Sequence, residues 1–180
     1  MRYGVYVGSF NPVHIGHIKV CKYLIDNNYV DKVLILPTPN YWEKDNLVNI
    51  NDRVEMLKFY EDDNIIVDST HNNFSYTYEV LRSLKKTYPN DSLYLIIGSD
   101  NLEKFDLWKN IDEVLENKVI VLRRGNTDIG KYLKNFNNDQ FIIIDDFDFI
   151  DISSTKIRND LKPEHVGEEV YQYIKKKNLY

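Results

Sequence analysis

The sequence predicts an α/β fold: a Rossmann-like, doubly wound, mostly parallel sheet with helices on both faces. Three observations predict it. Short apolar runs rich in β-branched residues recur along the chain. Amphipathic segments with three- and four-residue spacing separate them. Glycine-bearing turns close several of the runs. Near-continuous apolar strands are buried on both sides, which is the habit of a parallel sheet covered by helices.

The strand candidates are Tyr3–Val7, Val33–Leu36, Ile65–Val67, Leu93–Ile97, Val119–Leu122 and Phe141–Ile144. Between them, residues 15–27 place Ile18, Cys21, Leu24 and Ile25 on one helical face. Residues 51–60 offer Val54, Met56 and Leu57, with Asn51 or Asp52 as the cap. Residues 75–88 carry Tyr78, Leu81 and Leu84. Residues 163–177 read as a closing helix with Pro163 in its first turn. The stretch 37–50 is polar and irregular and reads as a loop over the site. In such sheets ligands bind beyond the carboxyl ends of the strands, where the strand order reverses.

Composition bounds the function. The chain has 180 residues, 43% hydrophobic and 28% charged, which suits one domain spanning 1–180 with a real core. Its net charge of −5 argues against a nucleic-acid surface. No apolar stretch approaches the roughly 20 residues of a membrane span. Cys21 is the only cysteine, so no internal disulfide and no cysteine metal site is expected. The chain opens directly onto a strand, so no secretory signal is expected either. The expectation is a cytoplasmic protein without nucleic-acid or membrane partners; a homo-oligomer is compatible with it.

Two segments point to phosphate chemistry. Gly8-Ser9-Phe10-Asn11-Pro12-Val13-His14-Ile15-Gly16-His17 follows the first strand and opens a helix. Backbone N–H groups and the helix dipole favour an anion there, and two imidazoles add donors. Gly16 would let backbone approach a ligand. The bland alternative is a tight turn with incidental histidines, but half of the protein's four histidines sit in this loop. Ile152-Ser153-Ser154-Thr155-Lys156-Ile157-Arg158 follows the last strand and opens another helix. Its hydroxyls and N–H groups can bond phosphate oxygens, and the Arg158 fork can hold one; an ordinary Ser/Thr cap with solvated cations is the alternative.

Weaker signals surround these two. Asp100, in Ile97-Gly98-Ser99-Asp100, can accept ribose hydroxyls or help place a metal ion, or it can be a plain helix cap. Trp108 can stack on a flat ring or pack in the core. Lys44 and Arg53 follow the second strand; Arg53 either reaches back to the cleft or lies on a solvated helix face. One of Arg123 and Arg124 can pack on a base or bind phosphate.

Together these residues resemble the nucleotidyltransferase superfamily marked by His/Thr-x-Gly-His and Ile-Ser-Ser-Thr-x-x-Arg. Within it the chain is similar to the nicotinate/nicotinamide mononucleotide adenylyltransferases. Gly8 to His17, then Ile97 to Leu102 with Trp108, then Ile152 to Arg158 match the three motifs. Ser75-Tyr76-Thr77 and Val170 to Ile174 with Leu179-Tyr180 extend the likeness over almost the whole chain. One segment departs. Asn40-Tyr41-Trp42-Glu43-Lys44 stands where bacterial nicotinate-type enzymes usually carry Pro-Pro-His-Lys. With Leu47, Arg53 and Met56 it is closer to the Tyr-x-Lys-x-x-Leu pattern of archaeal and eukaryotic relatives, which leaves the acid or amide form of the acceptor open.

The resemblance implies transfer of AMP from ATP to nicotinate mononucleotide, releasing pyrophosphate. Nicotinamide mononucleotide, or another acceptor such as phosphopantetheine, is the alternative. Phosphopantetheine enzymes usually carry Thr in place of His14, and cytidylyltransferases would use CTP. His-Ile-Gly-His also resembles the first signature of class I aminoacyl-tRNA synthetases, but their Lys-Met-Ser-Lys-Ser loop is absent. A non-catalytic nucleotide sensor is the reading from another class. The resemblance implies that His14, His17, Lys44 and Arg158 carry catalysis, with His17 at the α-phosphate. It assigns Gly8, Ser9, Phe10, Gly16, Asp100, Ser153, Ser154 and Thr155 to ATP. Asn11, Thr77, Trp108 and Arg124 face the mononucleotide, and Mg²⁺ arrives with ATP without a dedicated protein metal site.

Overall fold

A computed structural model describes residues 1–39 and 47–180. Six strands form one sheet: β1 (Arg2–Gly8), β2 (Lys32–Pro37), β3 (Ile65–Val67), β4 (Ser92–Gly98), β5 (Lys118–Leu122) and β6 (Phe141–Ile144). Their order is β3-β2-β1-β4-β5-β6, and every neighbouring pair is parallel, so the sheet is wholly parallel. The chain winds outward from β1 to β3, returns to pair β4 with β1, and winds outward again. The reversal therefore lies between β1 and β4, and the crevice it opens is bounded by Gly8 and Gly98.

Alternation along the strands divides the core in two. Val33 and Ile35, with Ile96, Ile120 and Leu122, face α1 (Ile15–Asp26) and α2 (Ile50–Lys58). Leu34 and Leu36, with Leu95, Ile97, Val119 and Val121, face α3 (Thr77–Thr87), the 3₁₀ segment Ser99–Leu107, α4 (Ile111–Val114) and α5 (Ile129–Leu133). The second 3₁₀ turn, Asn138–Gln140, precedes β6. Then α6 (Ser154–Asn159), α7 (Pro163–Val166) and α8 (Glu168–Lys177) return to the first face, where Ile157, Val166, Val170 and Ile174 are buried.

Several expectations are corrected. The second helix begins at Ile50, and Asn49 is its cap, accepting from the N–H of Asn51; Asn51 and Asp52 lie inside the helix. The closing segment is two helices. Gly167 interrupts it at φ 77°, and a Cβ there would stand 2.6 Å from the Tyr60 hydroxyl. That hydroxyl donates to the carbonyl of Val166. In α1, Val20 is buried with Ile18, Cys21 and Leu24, while Ile25 packs partly buried against the same cluster. Of the expected loop 37–50, residues 40–46 lie outside the described residues.

Candidate active site

A cleft of about 740 Å³ opens at the reversal point. Gly8, Ser9, Phe10 and His17 from the first loop and helix, Gly98, Asp100 and Arg124 after β4 and β5, and Thr77, Trp108 and Lys109 all line it.

The two histidines form a unit. The rings of His14 and His17 stack with centroids 3.6 Å apart and planes 21° apart. The backbone N–H of His14 donates to His17 Nδ1 at 3.1 Å. A neutral ring that accepts at Nδ1 carries its proton on Nε2, so His17 presents an N–H donor from the remaining nitrogen. His14 lies behind it, 6% exposed, and its Nδ1 is buried without a hydrogen-bond partner among the described residues. Burial lowers the His14 pKa to about 4, helped by the charge of Arg124. Burial likewise holds His17 well below the ordinary range, with His14 and Arg124 acting in the same direction. Both rings are therefore neutral at pH 7. Gly16 leaves room for the stack: a Cβ there would lie 3.0 Å from His14 Nδ1, a tight contact. Its missing side chain serves the histidine pair as well as any ligand.

Phe10 turns the loop. It adopts φ 43°, a left-handed conformation costly for a bulky residue, and its ring packs edge-on against His17 at 5.0 Å and Tyr6 at 5.4 Å. Asp100 Oδ1 stands 3.8 Å from Arg124 Nη1. A Cβ on Gly98 would fall 2.3 Å from that carboxylate and 3.1 Å from Arg124 Nε, so a side chain there would displace the Asp100 carboxylate from its present place. Arg124 also lies over the Phe149 ring at 5.0 Å. Arg123 turns away, donating to Asp145 and to the carbonyl of Thr127, so Arg124 is the arginine that faces the cleft.

The segment Ile152 to Arg158 docks against the first loop. Ser154 Oγ donates to the carbonyl of Pro12 at 2.9 Å. Arg158 donates to the carbonyl of Asn11 at 2.7 Å and to Thr155 Oγ1 at 3.2 Å. Ser153 caps α6 by accepting from the N–H of Lys156. The two motifs are thus brought together, although Ser153, Ser154, Thr155 and Arg158 flank the cleft and do not line it.

Two residues lie outside the lining. Asn11 is 3% exposed, and its Oδ1 accepts from the Val48 N–H at 3.1 Å and the Tyr180 hydroxyl at 2.7 Å. These bonds tie the loop to Val48 and Tyr180, and Asn11 is not among the residues that line the cleft. Arg53 is neither solvated nor in the cleft. It is fully buried and donates to the carbonyls of Val48, Ser9 and Thr38 at 3.0, 2.7 and 2.8 Å. Thr77 and Trp108 do reach the cleft, Trp108 backed by Phe105 at 5.0 Å. Lys44 lies outside the described residues. Sequence reasoning missed Lys104 and Lys109 as lining residues; the only available signal for Lys109 is its place beside Trp108.

Comparison with known proteins bears on this geometry. Residues 5–160 match the family model described as cytidylyltransferase-like. The chain is 35% identical to a "probable nicotinate-nucleotide adenylyltransferase" of Fusobacterium nucleatum, over 98% of this chain and 96% of that one. It is 31% identical to the protein so named in Flavobacterium psychrophilum, over 100% and 99% of the two chains. The chain belongs to the nicotinate-nucleotide adenylyltransferase family. A solved structure from Plasmodium falciparum, a nicotinic acid mononucleotide adenylyltransferase complexed with NaAD, shares the fold at TM-score 0.81 and 23% identity, covering 99% of this chain and 97% of that one.

As a nicotinate-nucleotide adenylyltransferase family member the chain is a nucleotidyltransferase, a class that works with a divalent metal on its nucleotide. The donor set fits an ion carried in by phosphates. Among the described residues Asp100 is the sole carboxylate lining the cleft, and no cluster of three ligating side chains exists. An ion such as Mg²⁺ keeps most of its water and needs only one or two protein carboxylates beside phosphate oxygens. Among the described residues, no helix is long and apolar enough to cross a membrane.

Proposed function

We infer that residues 1–180 act as one domain that transfers AMP from ATP to nicotinate mononucleotide, giving the deamido dinucleotide and pyrophosphate. The observation that carries this reading is His17: a neutral imidazole, lining the cleft at the strand reversal, with its tautomer set by the His14 N–H. The names of the relatives at 31% and 35% identity support the acceptor.

The chemistry asks little of the protein beyond alignment. A 5′-phosphate oxygen of the mononucleotide attacks the α-phosphorus of ATP. The bond from that phosphorus to the bridging oxygen breaks, and pyrophosphate leaves with the electron pair. The nucleophile is already an anion, so no general base is needed. His17 Nε2–H donates to the α-phosphate, where charge develops in the transition state. Gly8, Ser9 and Phe10 bring the loop backbone against the nucleotide, and Gly16 leaves room for the histidine pair. Asp100 accepts ribose hydroxyls. Ser154, Thr155 and Arg158 hold the β- and γ-phosphates from the flank, and Lys44 adds its charge to the same task. Mg²⁺ bound with ATP supplies charge neutralisation on the phosphate oxygens. Thr77, Trp108 and Arg124 receive the pyridine mononucleotide.

The test is direct. The purified chain with Mg²⁺, ATP and nicotinate mononucleotide should release pyrophosphate and form the dinucleotide in equal amounts, and CTP should not replace ATP. Nucleotide binding without turnover, or turnover with CTP alone, would overturn the reading.

A further inference from the structure

The cleft holds a cation with no assigned task. Lys109 lines the cleft beside Trp108, and its Nζ stands 4.4 Å from the centroid of the Tyr76 ring. Tyr76 itself lines the cleft and stacks on Tyr78 with centroids 5.9 Å apart, so the platform beneath the ammonium is backed by a second ring. The other cleft cations differ. Arg124 is shared between Asp100 and the Phe149 ring. Lys104 lines the cleft too, but no aromatic contact fixes it among the described residues. Glu79, the acidic group on the adjoining turn of α3, has its carboxylate on the Tyr76 N–H at 3.2 Å and the Tyr78 hydroxyl at 3.4 Å.

Nicotinate and nicotinamide have nearly the same shape. They differ in one negative charge and in the replacement of an oxygen by an N–H₂ group. Apolar walls such as Trp108 cannot separate them. An ammonium can, because it has donors only: it bonds both carboxylate oxygens but is repelled by the donor half of an amide. A cation held over an aromatic face also keeps a defined place, which reduces the entropy lost on pairing.

We propose that Lys109, held over Tyr76, reads the carboxylate of the pyridine ring and sets the preference for the acid over the amide acceptor. This rests on the pyridine-mononucleotide reading above. The experiment measures kcat/KM for nicotinate and nicotinamide mononucleotides, at saturating ATP, in the wild-type chain, Lys109→Gln and Lys109→Arg. The wild type should favour the acid. Lys109→Gln should lower that preference about tenfold, through KM for the acid, and leave the amide within about twofold. Lys109→Arg, which keeps the charge and the ring contact, should retain the preference. Added salt should weaken it in the wild type and not in Lys109→Gln. An unchanged acid-to-amide ratio in Lys109→Gln, an equal loss on both acceptors, or a wild type that does not distinguish them would overturn the assignment and leave the adenylyl-transfer reading standing. A wild-type chain that makes a dinucleotide from neither acceptor would overturn that reading itself.

Discussion

At the scale of single residues, the site depends on side chains with no freedom to be elsewhere. His17 is constrained on one face by the His14 stack, at its edge by Phe10, and at Nδ1 by a backbone donor. In the proposed reaction its contribution is the one N–H left over, offered from a ring that burial keeps neutral. Loss of a single transition-state donor of this kind costs about a hundredfold or more in turnover. His17→Ala should therefore lower kcat by at least about a hundredfold while circular dichroism and the unfolding transition stay cooperative. A folded variant with near-normal kcat would remove the donor from the transition state. Phe10 illustrates the cost of such precision: its left-handed backbone is unfavourable, and its buried ring contacts with Tyr6 and His17 offset it.

At the scale of elements, the loops over the sheet edge are tied from behind. Arg53 reaches from α2 to the loop after β1, to the end of β2 and to its own helix start, with one guanidinium on three carbonyls. Burial lowers its pKa, yet a guanidinium stays charged at neutral pH. Arg53→Met should cost about 2–4 kcal/mol in urea unfolding, since buried carbonyls lose a charged donor while the desolvation of the guanidinium is relieved. It should also raise KM for ATP, because Ser9 loses its tether; unfolding at the wild-type midpoint would show that water satisfies those carbonyls instead. Arg53 also marks where the sequence stops being legible. Strand positions, the main helices and the two loop motifs could be read, because periodicity and motif spacing are local. Whether Arg53 is solvated, buried or in the cleft depends on carbonyls of Ser9 and Thr38, brought near by the fold. The same holds for Asn11, whose partners Val48 and Tyr180 are distant in sequence. Gly167 was visible as a glycine, but its role as a break in the closing segment requires Tyr60 across the interface.

At the scale of the whole molecule, the reversal of strand order puts a polar, histidine-bearing loop against a sheet buried on both faces, and this links the active site to stability. His14 has its ordinary pKa of 6.5 when unfolded and about 4 when folded. Above pH 6.5 both states are neutral and the full stability is present. As pH falls below 6.5 the unfolded chain takes up a proton that the folded chain refuses, so stability declines until about pH 4 and then levels off. At pH 5 the loss from His14 alone is about 2 kcal/mol, and His17, shifted in the same direction, adds to it. Asp31 is held low by Arg2 and Glu113 by Arg82, so both stabilise the fold above the ordinary carboxylate range and lose that contribution only below it. Urea midpoints should therefore fall between pH 7.5 and 5, and His14→Gln, which removes one titrating ring, should flatten the decline. A midpoint constant across that interval, or a decline as steep in His14→Gln, would mean that the stacked rings take up protons in the folded state. The neutral-donor account of His17 would then fail with it, because a solvated, protonated pair would meet the α-phosphate as a cation already in the ground state.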